Sequence, residues 1–283
     1  MVYTLLTSFL FLLSYNLAND KIERRYIYYF VLFVLFFLSA FRYKVGCDWD
    51  PYYNLFRNSL ELDWSYLFTG NREILFWFII LFLHEMNLPY PFLNIISSGI
   101  FFIGIHVLAR RQPDPLAFLV LLLPILIMGM AMSGIRQGSA IGIICIALVS
   151  FMDRRPINFL FWVIVASGLH TSSILFLVLL PFATGRLNNY SFGLAMLLSI
   201  PGLILLSFLD TANWAVETYV GTGREAYGGI FRVSFLSLSA FYFFLFVKKK
   251  WKQNFPKDYS IVYLGSIGMV LTLFLVPVSS VIG

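Results

Sequence analysis

Charged residues are scarce in this sequence. Asp, Glu, Lys and Arg make up only 12% of the 283 residues, roughly half of their share in soluble domains. Hydrophobic residues make up 60% of the chain, 31 residues are Phe, and the mean hydropathy is +0.83. This composition excludes an ordinary soluble domain. It predicts an all-α, polytopic membrane protein.

Cysteine and the common catalytic motifs are also scarce. Of the two cysteines, Cys47 lies in a polar loop and Cys145 in an apolar run, so we predict neither a disulfide framework nor a cysteine metal site. The few histidines and carboxylates show no metal-ligand spacing. The sequence has no glycine-rich phosphate loop before a helix and no serine-centred elbow. We therefore expect no metal and no cofactor.

Positive charge is confined to a few clusters, and these account for the net charge of +6. The clusters lie at the ends of apolar segments, which is where the cytoplasmic side of a membrane protein is usually basic. The expected partner is therefore the lipid bilayer, and the charge does not require a nucleic acid. The clusters are Lys21 to Arg25, Arg110 and Arg111, Arg154 and Arg155, and Lys248 to Lys252.

Apolar runs predict about 10–11 transmembrane or half-membrane helices in a single membrane domain, residues 1–283, with no internal repeat. One run, Ile74–Leu83, is short: it would span about 15 Å of a hydrocarbon core of about 30 Å. The predicted full segments are Val2–Leu17, Tyr26–Phe41, Phe92–Ala109, Leu116–Met132, Gly138–Met152, Ile157–Gly168, Thr171–Ala183, Phe192–Leu209, Ile230–Val247 and Ser260–Val276.

Placing the basic clusters inside predicts which loops lie outside. Two long outer loops are expected, 42–73 and 210–229, and the turns around Arg136 and His170 should lie on the same face as these loops. The position of loop 42–73 depends on Ile74–Leu83 being half-inserted, which backbone at a polar cavity tolerates. If that segment instead crosses the membrane, the loop lies in the cytoplasm.

The loop 42–73 interleaves charges with Trp and Tyr, and it contains the first candidate site residues: Arg42, Asp48, Tyr52 and Glu73. Ionisable groups at the edges of membrane segments tend to be functional. Asp50 precedes Pro51, a pattern typical of a helix N-cap. The sequence predicts no such structural role for Asp48, so we favour Asp48 as the residue that takes part in chemistry.

Three further candidates follow the loop: Arg136 and Gln137 in the segment SGIRQGSA, and His170 in the turn GLHTSS. Arg232, which follows a Gly-Gly pair near the outer end of its helix, could join an anion site. Structural alternatives stay open for each of these positions. Arg136 could extend to the membrane interface, His170 could be a turn residue, and Glu73 could be a first-turn acid of its helix.

A carboxylate, arginines and a histidine around an outward-facing cavity suit one chemistry well. The carboxylate, Asp48 or Glu73, would deprotonate an attacking hydroxyl as a general base. Arginines would bind a diphosphate leaving group, because the guanidinium fork matches phosphate oxygens. His170 would hydrogen-bond the same group or donate a proton. The hypothesis is glycosyl transfer from a lipid diphosphate at the membrane.

The order of these motifs resembles that of the EpsG family. The motifs are R-x-x-V-G-x-D-W-x-x-Y from Arg42, the acid Glu73, I-R-Q-x-x-A around Arg136, and H-x-S from His170. The resemblance covers about residues 26–183 and is looser afterwards, where Gly228, Gly229 and Arg232 fit the pattern. It implies a Wzy-type exopolysaccharide polymerase that joins oligosaccharide repeat units linked to undecaprenyl diphosphate. The implied location is the extracytoplasmic face of a bacterial inner membrane, where other polysaccharide assembly proteins could be partners.

The loop with its Asp, followed by a half-length segment, is also similar to the first external loop of GT-C glycosyltransferases. Two departures from the family pattern stand out. Cys47 replaces an expected small hydroxyl residue, and the chain ends at VPVSSVIG, where further segments of the family are expected. Two other functions stay open: a transporter or flippase of lipid-linked saccharides, and a polysaccharide acyltransferase.

Overall fold

The computed structural model describes residues 2–16, 21–46, 48–69, 73–207, 229–256 and 258–271, and every regular element in these ranges is helical. This confirms the predicted all-α class and is consistent with a polytopic membrane protein. The α-helices are α1 Val2–Asn16, α2 Lys21–Ala40, α3 Trp49–Asn58, α4 Ile74–Glu85, α5 Pro91–Ala109, α6 Pro115–Leu122, α7 Ile135–Met152, α8 Pro156–Leu169, α9 Asn189–Ser207, α10 Gly229–Tyr242, α11 Lys248–Asn254 and α12 Tyr259–Leu271.

Four segments have narrower or wider helical turns. Trp64–Phe68 and Thr171–Phe182 form narrow 3-10 turns, whereas Leu123–Ala131 and Phe243–Val247 form wide π turns. The second residue of Leu123–Ala131 is a proline, Pro124, which has no N–H for the α-helical ladder. The predicted span Leu116–Met132 is therefore α6 followed by a π segment rather than one regular helix.

Local sequence signals explain where several helices begin. Asp114 caps α6, because its carboxylate accepts a hydrogen bond from the N–H of Ala117 at 3.0 Å and Pro115 follows it. For α3 the predicted cap was wrong. The helix begins at Trp49, so Asp48 occupies the N-cap position, without a side-chain capping bond, and Asp50 lies in the first turn.

The chain divides into two compact units, residues 1–150 with 157–176, and residues 151–156 with 177–283. The candidate residues up to His170 all belong to the first unit. Arg232 belongs to the second. That the two units form one membrane domain stays a prediction.

Helix α5 runs antiparallel to α2 and parallel to α7 within the first unit. Near one end, Ser39 and Ser98 share a hydrogen bond of 2.9 Å, and near the other end Tyr28 and His106 share a bond of the same length. We call the end that contains Ala40, Pro91 and Ile135 the site end. The opposite end, where Arg24 pairs with Asp114, is the basic end.

Small residues let α5 and α7 approach closely. A Cβ atom placed on Gly104 would lie 1.8 Å from the carbonyl oxygen of Gly142, and one on Gly142 would lie 2.6 Å from the carbonyl oxygen of Ile100. No other residue type fits at these two positions without moving a backbone. Such small-residue contacts are typical of helix pairs in membranes.

Helix α4 begins and ends at the site end. Glu73, at its start, contacts Arg136 in the first turn of α7. Leu83, near its other end, belongs to a buried cluster that also contains Tyr90 and Leu93, at the start of α5. The short apolar segment therefore does not run from one end of the bundle to the other. That it is half-inserted in the membrane stays a prediction.

Within the described residues, α5 and α7 are long and apolar enough to cross a membrane, and six shorter apolar helices accompany them. In the second unit, α10 packs on α12, where Ser237 donates a hydrogen bond to the carbonyl oxygen of Met269 at 3.3 Å. Lys248 lies over the rings of Phe244 and Tyr263 and so connects three consecutive elements.

Candidate active site

Glu73 is the centre of a group of polar side chains at the site end. Its Oε1 atom accepts a hydrogen bond from Nδ1 of His170 at 2.7 Å, and its Oε2 atom accepts one from Nη1 of Arg136 at 2.5 Å. The backbone N–H of Thr171 points to Oε1 from 3.5 Å. A single carboxylate thus connects the starts of α4 and α7 with the end of α8.

Arg136 has further contacts on its other side. Its Nε–H donates to the hydroxyl oxygen of Tyr52 at 3.2 Å. The guanidinium also lies over the rings of Tyr52 and Phe76, at 5.5 and 5.7 Å from their centroids. These contacts orient the guanidinium while leaving both N–H groups of Nη2 without a hydrogen bond in the described residues.

Glu73 is ionised in this arrangement. Burial alone would raise its pKa, but the hydrogen bond from His170 and the charge of Arg136 outweigh burial and hold the pKa below its ordinary value. Glu73 lies in the loop before α4, outside the membrane-spanning segments. The resting state is therefore a carboxylate held by two cationic or hydrogen-bonding partners.

The charge of Glu73 decides the tautomer of His170. An ionised carboxylate has only acceptor oxygens, so Nδ1 of His170 must donate the proton in the bond between them. In the neutral imidazole, Nε2 then has the free lone pair. In a histidine held in this way by a carboxylate, the nitrogen that can accept a proton faces away from the carboxylate.

The three side chains differ in their exposure. Only 12% of the Glu73 side chain is accessible, against 24% for His170 and 38% for Arg136. The carboxylate is thus sheltered, while the imidazole and guanidinium reach the surface. A substrate would therefore contact His170 and Arg136 before it contacted Glu73.

Two glycines allow the chain segments around the candidate active site to approach one another closely. A Cβ atom on Gly168 would lie 2.8 Å from Cγ of Leu75, so the end of α8 packs directly on the start of α4. Gly46 has φ of +96°, and a Cβ atom there would lie 2.1 Å from the carbonyl oxygen of Met132. The loop after α2 can therefore lie against the turn that precedes Arg136 only because this residue is glycine.

Arg42 is buried beside this group rather than within it. Its Nη1 atom donates to the carbonyl oxygens of Ser39 and Ala131, at 2.8 and 3.1 Å, and joins the end of α2 to the end of the π segment. Its Nε and Nη2 atoms have no hydrogen-bond partner among the described residues. Tyr52, which accepts a hydrogen bond from Arg136, is also close enough to interact electrostatically with Arg42.

The other predicted residues are more dispersed. Asp48 lies at the N-cap of α3, one turn before Tyr52; it is half-buried, and its side chain forms no hydrogen bond within the described residues. Gln137 is exposed in the first turn of α7. Arg232 lies in α10, but its side chain is outside the described part of the structure. So are Cys47 and most of the predicted loop 210–229.

Sequence reasoning missed two contributors, Phe76 and the backbone N–H of Thr171. Phe76 follows Glu73 by three positions, and helical spacing could have placed its ring beside Arg136. Thr171 is adjacent to His170. In the described ranges, no group of three or more His, Cys, Asp or Glu side chains could hold a metal ion.

A comparison with protein families gives one match: the model of the EpsG family matches residues 25–283, nearly the whole chain. The chain belongs to the EpsG family. The predicted resemblance is thus confirmed, and with it a Wzy-like polymerase family and a membrane protein with a broadly polysaccharide-polymerising role. No curated protein and no solved structure matches the chain.

Proposed function

We propose that this EpsG-family chain joins oligosaccharide repeat units that are linked to undecaprenyl diphosphate, at the extracytoplasmic face of a bacterial inner membrane. The observation that supports this proposal most directly is the pair of bonds to one carboxylate, from Nδ1 of His170 and from Arg136 to Glu73. It provides a general base and an anion-binding group side by side.

His170 would be the general base. A hydroxyl of the acceptor saccharide attacks the anomeric carbon of the donor and forms the new glycosidic C–O bond, while the bond from that carbon to the diphosphate oxygen breaks. The hydroxyl proton passes to Nε2 of His170, and the leaving group is undecaprenyl diphosphate. Glu73 positions the imidazole and stabilises the imidazolium that forms.

Arg136 would bind the diphosphate. Two of its N–H groups are used by Glu73 and Tyr52, and those of Nη2 are available to phosphate oxygens. The charge that develops on the leaving oxygen would strengthen this interaction in the transition state, so the arginine would assist catalysis as well as binding. Arg42, with its unpartnered N–H groups, would add positive potential behind Tyr52.

Asp48 is the alternative base. Its carboxylate has no hydrogen-bond partner among the described residues, and Asp48 lies one turn before Tyr52, whose N–H donates to the Asp48 carbonyl oxygen at 3.1 Å. The geometry favours His170, because its proton acceptor is already oriented by Glu73. The two candidates are separable by mutation.

The decisive experiment uses the full chain, expressed in its own bacterium in place of the native copy. His170→Gln and Asp48→Asn variants would be compared by the length of the polysaccharide made and by the pool of single lipid-linked repeat units. We expect His170→Gln to leave single units that are not joined. Normal polymer from His170→Gln together with none from Asp48→Asn would transfer the base role to Asp48.

The same experiment separates a polymerase from a flippase. Single units that have crossed the membrane are open to periodate oxidation from outside intact spheroplasts, whereas untranslocated units are protected. A polymerase variant should accumulate units that periodate reaches. Units that stay protected in the His170→Gln and Arg136→Ala variants would support a flippase, and a loss of acyl groups from polymer of normal length would support an acyltransferase.

A further inference from the structure

A groove lies on the site end of the first unit, along the side of α3. Its volume is about 680 Å³, within the size range of small-molecule sites. None of Glu73, Arg136 and His170 lines it, so it is separate from the candidate active site. The lining residues are Tyr43, Lys44, Trp49, Asp50, Tyr53, Asn54, Phe56, Arg57, Pro89, Tyr90 and Pro91.

Helix α3 separates the groove from the candidate active site. Tyr52 points to Arg136, whereas the neighbouring Tyr53 and the residue one turn before it, Trp49, line the groove. An α-helix with its side chains is about 10–12 Å across. The groove and the His170–Arg136 pair are therefore about one helix diameter apart, which is within the reach of a single short oligosaccharide.

The groove contains a continuous set of aromatic rings. Trp49 and Tyr53 are stacked, with centroids 5.0 Å apart and an angle of 14° between the ring planes. Tyr90 meets both edge-on at 5.5 and 5.4 Å, and Tyr43 meets Trp49 edge-on at 5.3 Å. Because the rings support one another, they present a rigid surface to which a ligand can bind with little loss of conformational entropy.

The rim of the groove is polar. Asp50, Asn54 and Arg57 are exposed on α3, and Lys44 faces them from the loop after α2. Lys44 has φ of +51°, a left-handed conformation that is uncommon for a residue with a side chain and that tends to occur at functional sites. An aromatic floor with a rim of charges and an amide is a surface for a ligand with both apolar faces and many hydroxyls.

The polar rim decides between types of ligand. The hydroxyls of a saccharide can exchange hydrogen bonds with Asp50, Asn54 and Arg57, whereas an acyl chain would offer these groups no partner.

We infer that this groove binds the saccharide part of the substrate, next to the sugar that reacts, and so holds the chain between successive additions. The inference rests on the proposed function, since it names a binding site for the same substrate. A saccharide fits the rings through its C–H faces and the rim through its hydroxyls. The lipid and the diphosphate lie on the other side of α3, with Arg136.

Binding of the saccharide can be measured without catalysis. The probe is a set of short fragments released by partial acid hydrolysis from the bacterium's own exopolysaccharide, without lipid or diphosphate. They would be titrated against the full chain in lipid nanodiscs. We expect Tyr53→Leu to weaken binding about tenfold, because aromatic anchors dominate such contacts, whereas Tyr53→Phe should keep most of the affinity.

Two further variants make the experiment decisive. Arg57→Ala changes an exposed rim residue, so weaker binding there does not reflect misfolding. Tyr26→Leu removes an exposed tyrosine of α2 on the side of the basic end and should change nothing. Equal affinities in wild type, Tyr53→Leu and Arg57→Ala, or an absence of fragment binding to wild type, would overturn the inference.

The two proposals fail in different ways. His170→Gln should bind the fragments as wild type does and yet make no polymer. Normal polymer from His170→Gln would overturn the proposed catalytic role and leave the groove unaffected. Tyr53→Leu should still join units but make shorter chains, and chains of normal length from that variant would count against a holding role for the groove.

Discussion

Nδ1 of His170 donates a hydrogen bond to Oε1 of Glu73 at 2.7 Å, although 97 positions separate the two residues in the chain. The other oxygen of the same carboxylate holds Arg136. The sequence pattern only groups these three residues together, whereas the structure distinguishes them. Glu73 is a sheltered carboxylate, His170 an oriented imidazole, and Arg136 a guanidinium with donors that have no partner in the described residues.

Replacing His170 by Gln should reduce polymerisation by about 10²–10⁴-fold, which is the usual contribution of a general base. The amide keeps the size and a donor for Glu73 but cannot accept the proton. The measurement is the rate at which membranes from the bacterium lengthen their own lipid-linked units. His84→Gln is the matched control, because His84 bonds Ser59 at the end of α3 and away from the site. Equal losses in both variants would point to misfolding.

Glu73→Gln should change the pH dependence of stability. The pKa of Glu73 is lowered in the fold, so its ionised form stabilises the protein fully above the ordinary pKa of an unfolded glutamate. That contribution is lost as the pH falls through the lowered pKa. We expect the variant to lose about 1–3 kcal/mol at neutral pH and to show a flatter decline in Tm on acidification. Parallel Tm curves for the two proteins would contradict this prediction.

Arg136→Lys should bind the lipid diphosphate less well even though the charge is kept. A lysine ammonium cannot donate to Glu73, Tyr52 and a phosphate in the planar fork that arginine uses. We expect kcat/KM to fall about tenfold or more, as for the loss of one charge-assisted contact. Arg25→Lys, at the basic end, is the control and should leave both kinetic constants unchanged. A wild-type kcat/KM in Arg136→Lys would remove Arg136 from the proposed mechanism.

Gly46→Ala should destabilise the loop and lower activity together. The left-handed φ costs a residue with a Cβ atom about 1–2 kcal/mol, and the new methyl group would overlap the carbonyl oxygen of Met132. Gly99→Ala is the control, since nothing lies within 4 Å of a Cβ atom there. It should be neutral or slightly stabilising. Thermal unfolding of the two variants in detergent gives the comparison, and equal Tm values would contradict the role of Gly46.

Much of the fold follows from local sequence. Long apolar runs predict helices because backbone groups in a bilayer must bond within their own segment, and most predicted segments agree with the observed helices within a few residues. The start of α3 was assigned wrongly. The Asp-Pro pair favours Asp50 as the cap. In the structure the helix begins at Trp49, two residues earlier than this predicts. Asp48 therefore occupies the cap position, directly after the loop that Gly46 constrains.

Part of the candidate site was also predictable. Arg136, Glu73 and His170 stood out because an ionisable residue at the edge of an apolar segment is costly and so rarely accidental. The sequence pattern could not say which of them touch, because contacts between residues far apart in the chain depend on how the helices pack. Arg42 shows this limit: it was grouped with the site but bonds the backbone of Ser39 and Ala131.

The sequence by itself determined the class of protein, the approximate helices and the family, because hydropathy and motif order are local properties that survive without knowledge of packing. Only the tertiary structure decided that both ends of α4 lie at the site end and that one carboxylate bonds both His170 and Arg136. It also decided that Tyr52 of α3 contacts Arg136, whereas Trp49 and Tyr53 line the groove on the other side of the helix. These facts depend on close approach at glycines and on the direction of each side chain, which no single segment of the chain specifies.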